Sequence, residues 1–160
     1  MFPAITVSSL LVPRLVVTVG LPGAGKSTYL ESIGAHAISS DAVRVLLADD
    51  VTDQTINGRV FAAVKYLVRQ RLELRRPVTY VDATNLVRRD RRSWLELGRE
   101  HGARVEALWF DVPLPVCKQR NAGRQRVVPE WVLDLMAARF IPPSVAEGFD
   151  EVRKCPAYAK

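Results

Sequence analysis

Two cysteines and two histidines are the whole supply of thiol and imidazole metal ligands in this 160-residue chain. Cys117 and Cys155 stand apart without a CxxC spacing, and His36 and His101 complete no zinc-type set. Two isolated thiols suit a reducing compartment, so a cytoplasmic location is expected. No apolar run is long enough to span a bilayer. The first thirteen residues, MFPAITVSSLLVP, form a mildly apolar leader with two prolines and no basic start, which argues against a secretory signal. Repeats, low-complexity tracts and linkers are also missing, and 160 residues make one domain of ordinary size.

Lysine is scarce too. Of 23 basic residues only 5 are lysines and 18 are arginines, against 17 acids, for a formal charge of +6. An arginine-rich positive surface suits acidic partners and paired contacts to phosphate.

What is present is a regular alternation of strand and helix signals. RLVVTV (14–19) is a continuous β-branched run of the kind buried on both faces of a parallel sheet. Helix is expected from Lys26 to about Ile33, stopped by Gly34, then a short strand at 35–39 and a short helix over Ala42–Leu47 that Asp41 can cap. Val60, Val64, Leu67, Val68 and Leu72 recur at helical spacing within 57–76. VTYVD (78–82) and VEALWF (105–110) read as further strands, with helices expected at about 88–101, from about Leu114, and from Pro129 to near Phe140. FDEVRK can add an edge strand. The pattern predicts an α/β fold of three layers, with a mainly parallel sheet of four to five strands, in one domain spanning 1–160.

The segment VGLPGAGKST (19–28) places Gly20, Gly25, Lys26 and Ser27 in a GxxxxGK[ST] pattern directly after a buried strand and at a helix start. In that context the backbone amides from Gly23 and Ala24 through Ser27 and Thr28 can converge on phosphate oxygens, helped by the helix start. Lys26 then reaches the terminal phosphates of ATP and Ser27 ligates Mg²⁺, with Asp82 at the end of its strand as the associated carboxylate. Ala83 follows Asp82 where a water-polarising acid would serve hydrolysis, and no guanine-reading NKxD pattern occurs. Phosphoryl transfer to an acceptor is the leading class.

On the acceptor side, SSDAVR holds Asp41 and Arg44 three residues apart, on one face of a helical start. Asp41 can orient an attacking hydroxyl and take its proton, or simply cap the helix. Arg44 can hold an acceptor phosphate, or pair with Asp41. RNAGRQR carries Arg120, Arg124 and Arg126 in a stretch without an apolar face; residues 118–130 are read as a mobile lid over ATP. Arginines 69, 71, 75, 76, 88, 89, 91 and 92 are read as exterior and as favouring a polyanion.

GLPGAGKST, SSDAVR, VDATN and RNAGRQRVVPEWV together resemble the 5′-hydroxyl polynucleotide kinase family, including the kinase modules of phage and bacterial end-healing enzymes, over roughly residues 14–153. The resemblance implies ATP and Mg²⁺ as cofactors and 5′-hydroxyl ends of DNA or RNA as acceptors. It makes Asp41 the general base and Arg44 the contact to the neighbouring phosphate. Arg120 and Arg124 match its donor-phosphate arginines, Arg124 assisting the transition state, whereas Arg126 matches no element. Members often carry a phosphatase or other repair domain, for which this chain is too short, so a separate phosphatase or ligase is an expected partner. The same cradle and carboxylate would also serve a kinase of a nucleoside, antibiotic or sugar nucleotide in the manner of zeta toxins, or of a modified DNA base. A nucleotide-binding module without transfer activity is the reading from another class.

Overall fold

The computed structural model describes residues 11–155; the first ten residues of the expected leader lie outside that range. Five strands, β1 (Arg14–Val19), β2 (Ile38–Ser39), β3 (Val78–Asp82), β4 (Arg104–Phe110) and β5 (Glu151–Cys155), form one sheet in the order β2-β3-β1-β4-β5. Every pairing is parallel. The helices are α1 (Lys26–Ser32), α2 (Ser40–Ala48), α3 (Asn57–Glu73), α4 (Arg88–Glu100), α5 (Leu114–Ala122) and α6 (Glu130–Arg139).

The central β1 has neighbours on both edges and helices on both faces, so its alternate side chains feed two cores. Leu15, Val17 and Val19 join the larger cluster, while Val16 joins the smaller one. The larger cluster takes the stripe Val60, Val64, Val68 and Leu72 of α3 and the buried Trp94 and Leu95 of α4. Leu67, which the spacing also placed on that stripe, is exposed. The smaller cluster sets Ala24 and Cys117 against Leu108 and Phe110. Two packed faces explain why the strand reads as an unbroken β-branched run rather than an alternating one.

Several boundaries shift for local reasons. The short helix is capped by Ser39, whose hydroxyl accepts from the Ala42 amide at 3.2 Å, and Asp41 lies in its first turn. The capping role expected of Asp41 is therefore filled two residues earlier, which leaves its carboxylate for other partners. Helix α3 ends at Glu73, before Pro77, because Arg75 turns the chain at φ 55°. Arg91 is not exterior: it is fully buried, paired with Glu147 at 2.9 Å, and it donates to the carbonyls of Asn85 and Ile141. Its place on the same face of α4 as Trp94, Leu95 and Gly98 sends it inward with them.

Candidate functional site

Strands β1, β2 and β3 end at one rim of the sheet, and the segments leaving them enclose a cavity of about 1230 Å³. Crevices at the carboxyl ends of parallel strands are where ligands of α/β sheets bind. The loop after β1 supplies Gly23, Gly25, Lys26, Ser27 and Thr28; the turn after β2 supplies Asp41 and Arg44; the end of β3 supplies Asp82. Arg120, Arg124 and Arg126 also line the cavity. Gly20 and Ala24 stand behind the loop, packed against Phe110 and within the smaller core.

The cradle geometry follows from its glycines. Gly23 and Gly25 have φ of 82° and 91°, a region costly for any residue with a Cβ. At Gly23 a methyl would also overlap the Cys117 carbonyl of α5. The loop thus runs over α5 and delivers its amides at the start of α1. There Lys26 is almost fully buried, its Nζ donating to the carbonyls of Gly20 at 2.9 Å and Leu21 at 2.8 Å. Burial lowers its pKa to about 8; nearby Asp82 opposes that shift, and Arg124 adds to it. One of its three protons remains for a phosphate oxygen.

Ser27 donates its hydroxyl to the Asp82 carboxylate at 2.6 Å. A hydroxyl and a carboxylate in contact at the foot of the cradle are hard oxygen donors of the number Mg²⁺ takes from a protein when phosphates and water supply the rest. The residues present therefore fit the cation. Behind Asp82 the turn is fixed by Asn85, at φ 49°, which donates to the Thr18 carbonyl at 2.8 Å and accepts from the Trp94 indole at 2.9 Å. Asn85 belongs to the scaffold of the rim, and so does Trp94.

Asp41 and Arg44 line the same cavity without pairing. The Asp41 carboxylate is bound by the Arg126 guanidinium across the cavity. Arg126 matched no family element, and spacing carried no signal for a contact between residues 85 apart in sequence. Arg44 is 3 % exposed, and it donates to the Asp53 carbonyl at 2.6 Å. Among the described residues it has no carboxylate partner, and its Nε lacks a hydrogen bond. A buried guanidinium without a neutralising partner among the described residues is costly unless an anion completes it.

The 118–130 segment is less uniform than its composition suggests. Arg120 belongs to the last turn of α5, and Asn121 is buried. The Asn121 amide donates to the Val128 carbonyl at 2.7 Å and accepts from the Val128 amide at 3.0 Å, closing the intervening loop at its base. The expectation that this segment stands outside the core is corrected at its base, where Asn121 and Val128 are buried. Arg124 and Arg126 ride on the tethered loop. The arginines of residues 69–92 do not act as one exterior track either, since Arg71 turns in to Thr79 and the Val78 carbonyl and Arg91 is buried. No helix among the described residues is long and apolar enough to cross a membrane.

A parallel five-stranded sheet with a glycine cradle, buried lysine and Ser–Asp pair at one rim defines a protein of the P-loop α/β class. The family model described as "AAA domain" matches residues 15–143, and the chain belongs to that family. It is 24% identical over 143 residues to the L-seryl-tRNA(Sec) kinase of Methanococcus maripaludis, covering 85% of this chain and 56% of that one. It is 24% identical over 152 residues to the bifunctional polynucleotide phosphatase/kinase of Schizosaccharomyces pombe, covering 89% and 33%. The chain thus spans about half and a third of the lengths of these relatives. Among solved structures, the Pnkp1/Rnl/Hen1 RNA repair complex matches with a TM-score of 0.68 at 19% identity, over 81% of this chain and 44% of that one. A gluconokinase from Sinorhizobium meliloti matches with a TM-score of 0.61 at 18% identity, over 94% and 86%.

Proposed function

We propose that the protein transfers the γ-phosphate of ATP to the 5′-hydroxyl end of DNA or RNA, within a single kinase domain. The observation that carries this reading is Arg44: a buried cation without a carboxylate partner, in the same cavity as Asp41. An acceptor that brings a phosphate beside its hydroxyl satisfies both residues, whereas a plain nucleoside or sugar leaves the guanidinium uncompensated. Two curated relatives whose names include a tRNA and a polynucleotide are in keeping with such an acceptor.

In this reading the amides of residues 23–28 and Lys26 hold the triphosphate, and Arg120 and Arg124 hold it from the lid side. Ser27 and Asp82 would hold Mg²⁺, which would supply charge neutralisation for the transferred phosphoryl group. Asp41 accepts the proton of the 5′-hydroxyl as its oxygen forms a bond to the γ-phosphorus and the bond to the β,γ-bridging oxygen breaks, with ADP leaving. Arg126 fixes one carboxylate oxygen of Asp41 and leaves the other for the acceptor. Arg44 takes the phosphate on the 3′ side of the same nucleotide. End healing in the cytoplasm, alongside a separate phosphatase or ligase, is the setting this chemistry suits.

The test is incubation with γ-labelled ATP, Mg²⁺ and 5′-hydroxyl oligonucleotides of DNA and RNA, beside a panel of nucleosides and sugars. Label on the oligonucleotide end, lost in Lys26→Ala, is the expected result. Label confined to nucleosides or sugars would replace this reading with a small-molecule kinase, and nucleotide binding without any transfer would leave a binding module.

A further inference from the structure

Besides the turn that carries Asp41 and Arg44, two helices line the cavity. Asn57, Phe61 and Lys65 line it from α3, at the four-residue spacing that puts side chains on one face. Arg89 and Ser93, also four apart, line it from the first turns of α4. This stripe of α3 is distinct from the neighbouring one, Val60, Val64 and Val68, that packs on the sheet.

Lys65, Arg89 and Arg44 therefore surround one space with three positive charges. None of them is ion-paired among the described residues, although pairs are common elsewhere on the surface. Of the three acids lining the cavity, Asp82 accepts from Ser27, Asp41 is held by Arg126, and Asp90 accepts from the Val87 amide of its own helix start at 3.4 Å. Like charges around a partly enclosed space repel, and a concave wall concentrates their field. A single phosphate at Arg44 answers only the innermost of them.

We infer that Lys65 and Arg89 form a second phosphate subsite, which binds the next phosphodiester of a polynucleotide acceptor beyond the one held at Arg44. The inference rests on the proposed transfer to 5′-hydroxyl ends and adds to it a minimum length: the acceptor gains from its second phosphate, and the half-buried Phe61 in the same lining offers an apolar surface for the intervening nucleotide. Polynucleotide is the occupant favoured over a small doubly charged metabolite because the cavity, about 1230 Å³, exceeds the roughly 300–1,000 Å³ of ordinary small-ligand sites.

The experiment measures kcat/KM of the full chain for a nucleoside 3′-phosphate and for 5′-hydroxyl di-, tri- and tetranucleotides, in wild type, Lys65→Glu, Arg89→Glu and the double variant. Wild type is expected to prefer the trinucleotide over the nucleoside 3′-phosphate by about tenfold, the size of one added charge-assisted contact. The reversals bring that ratio close to one and reduce the salt dependence measured on the longer acceptors. Binding of a non-hydrolysable ATP analogue reports that each variant is folded. A wild-type ratio near one, or reversals that lower all acceptors equally and keep the ratio, overturns the subsite while leaving 5′-end transfer standing. Failure of wild type to label any oligonucleotide overturns the parent reading and the subsite with it.

Discussion

Lys26 carries a conflict between stability and binding. Its ammonium is buried among carbonyls, and its pKa is lowered to about 8 from an ordinary 10.5. The unfolded chain keeps that proton up to higher pH, so the cost of burying the charge is full below about pH 8 and is relieved as pH rises toward 10.5. Phosphate binding works in the opposite direction, because it needs the charged form. Affinity for a non-hydrolysable ATP analogue should be steady below about pH 8 and fall above it, and Lys26→Met should bind weakly with no break near that pH. Titration calorimetry across pH 7 to 10 measures both. The contact between Arg126 and Asp41 leads to a second expectation at this scale. Arg126→Ala should lower kcat by about tenfold through a loosened carboxylate, with little change in the KM for ATP, and Arg126→Lys should recover part of the loss. Equal losses in the alanine and lysine variants would show that the ion pair does not position the base.

At the scale of elements, two polar anchors set the shape of the rim. Asn121 satisfies both backbone groups of Val128 and so fixes the base of the arginine loop. Asn121→Ala leaves a buried amide and carbonyl unpaired, at a cost of about 2 kcal/mol. Because Arg124 and Arg126 ride on that loop, the same variant should raise the KM for ATP; a lower Tm with an unchanged KM would separate the loop from the site. The buried Arg91–Glu147 pair ties α4 to the turn before β5, and Arg91→Met should cost about 3 kcal/mol because Glu147 loses its partner and two carbonyls lose a donor. The cradle and the buried strands were legible in the sequence because glycine at positive φ and β-branched runs leave local marks. Asp82 beside Ser27 was legible through its place at a strand end. The Asn121 clamp, the inward Arg91 and the hold of Arg126 on Asp41 were not, since each depends on partners brought together only by the fold. Ser39 as the cap of α2 was legible in principle, but Asp41 competed for the role and the two differ by only two positions.

For the whole molecule, the strand order places the cradle after the central strand β1, and Asp41 and Arg44, the proposed acceptor residues, after β2. In the proposed reaction a triphosphate and an alcohol share this one cavity and meet beside Asp41. The +6 charge and the cavity-facing cations suit a polyanion, so transfer to oligonucleotides should weaken with salt more steeply than ATP-analogue binding does. Equal slopes would remove the electrostatic part of acceptor recognition. The central claim, that Asp41 is the base of a transfer reaction in this cavity, is tested most directly by single-turnover transfer to a 5′-hydroxyl oligonucleotide with Asp41→Asn. The account predicts ATP-analogue affinity within a few-fold of wild type and transfer slower by about 10²-fold or more. An Asp41→Asn protein that transfers phosphate at the wild-type rate would contradict it.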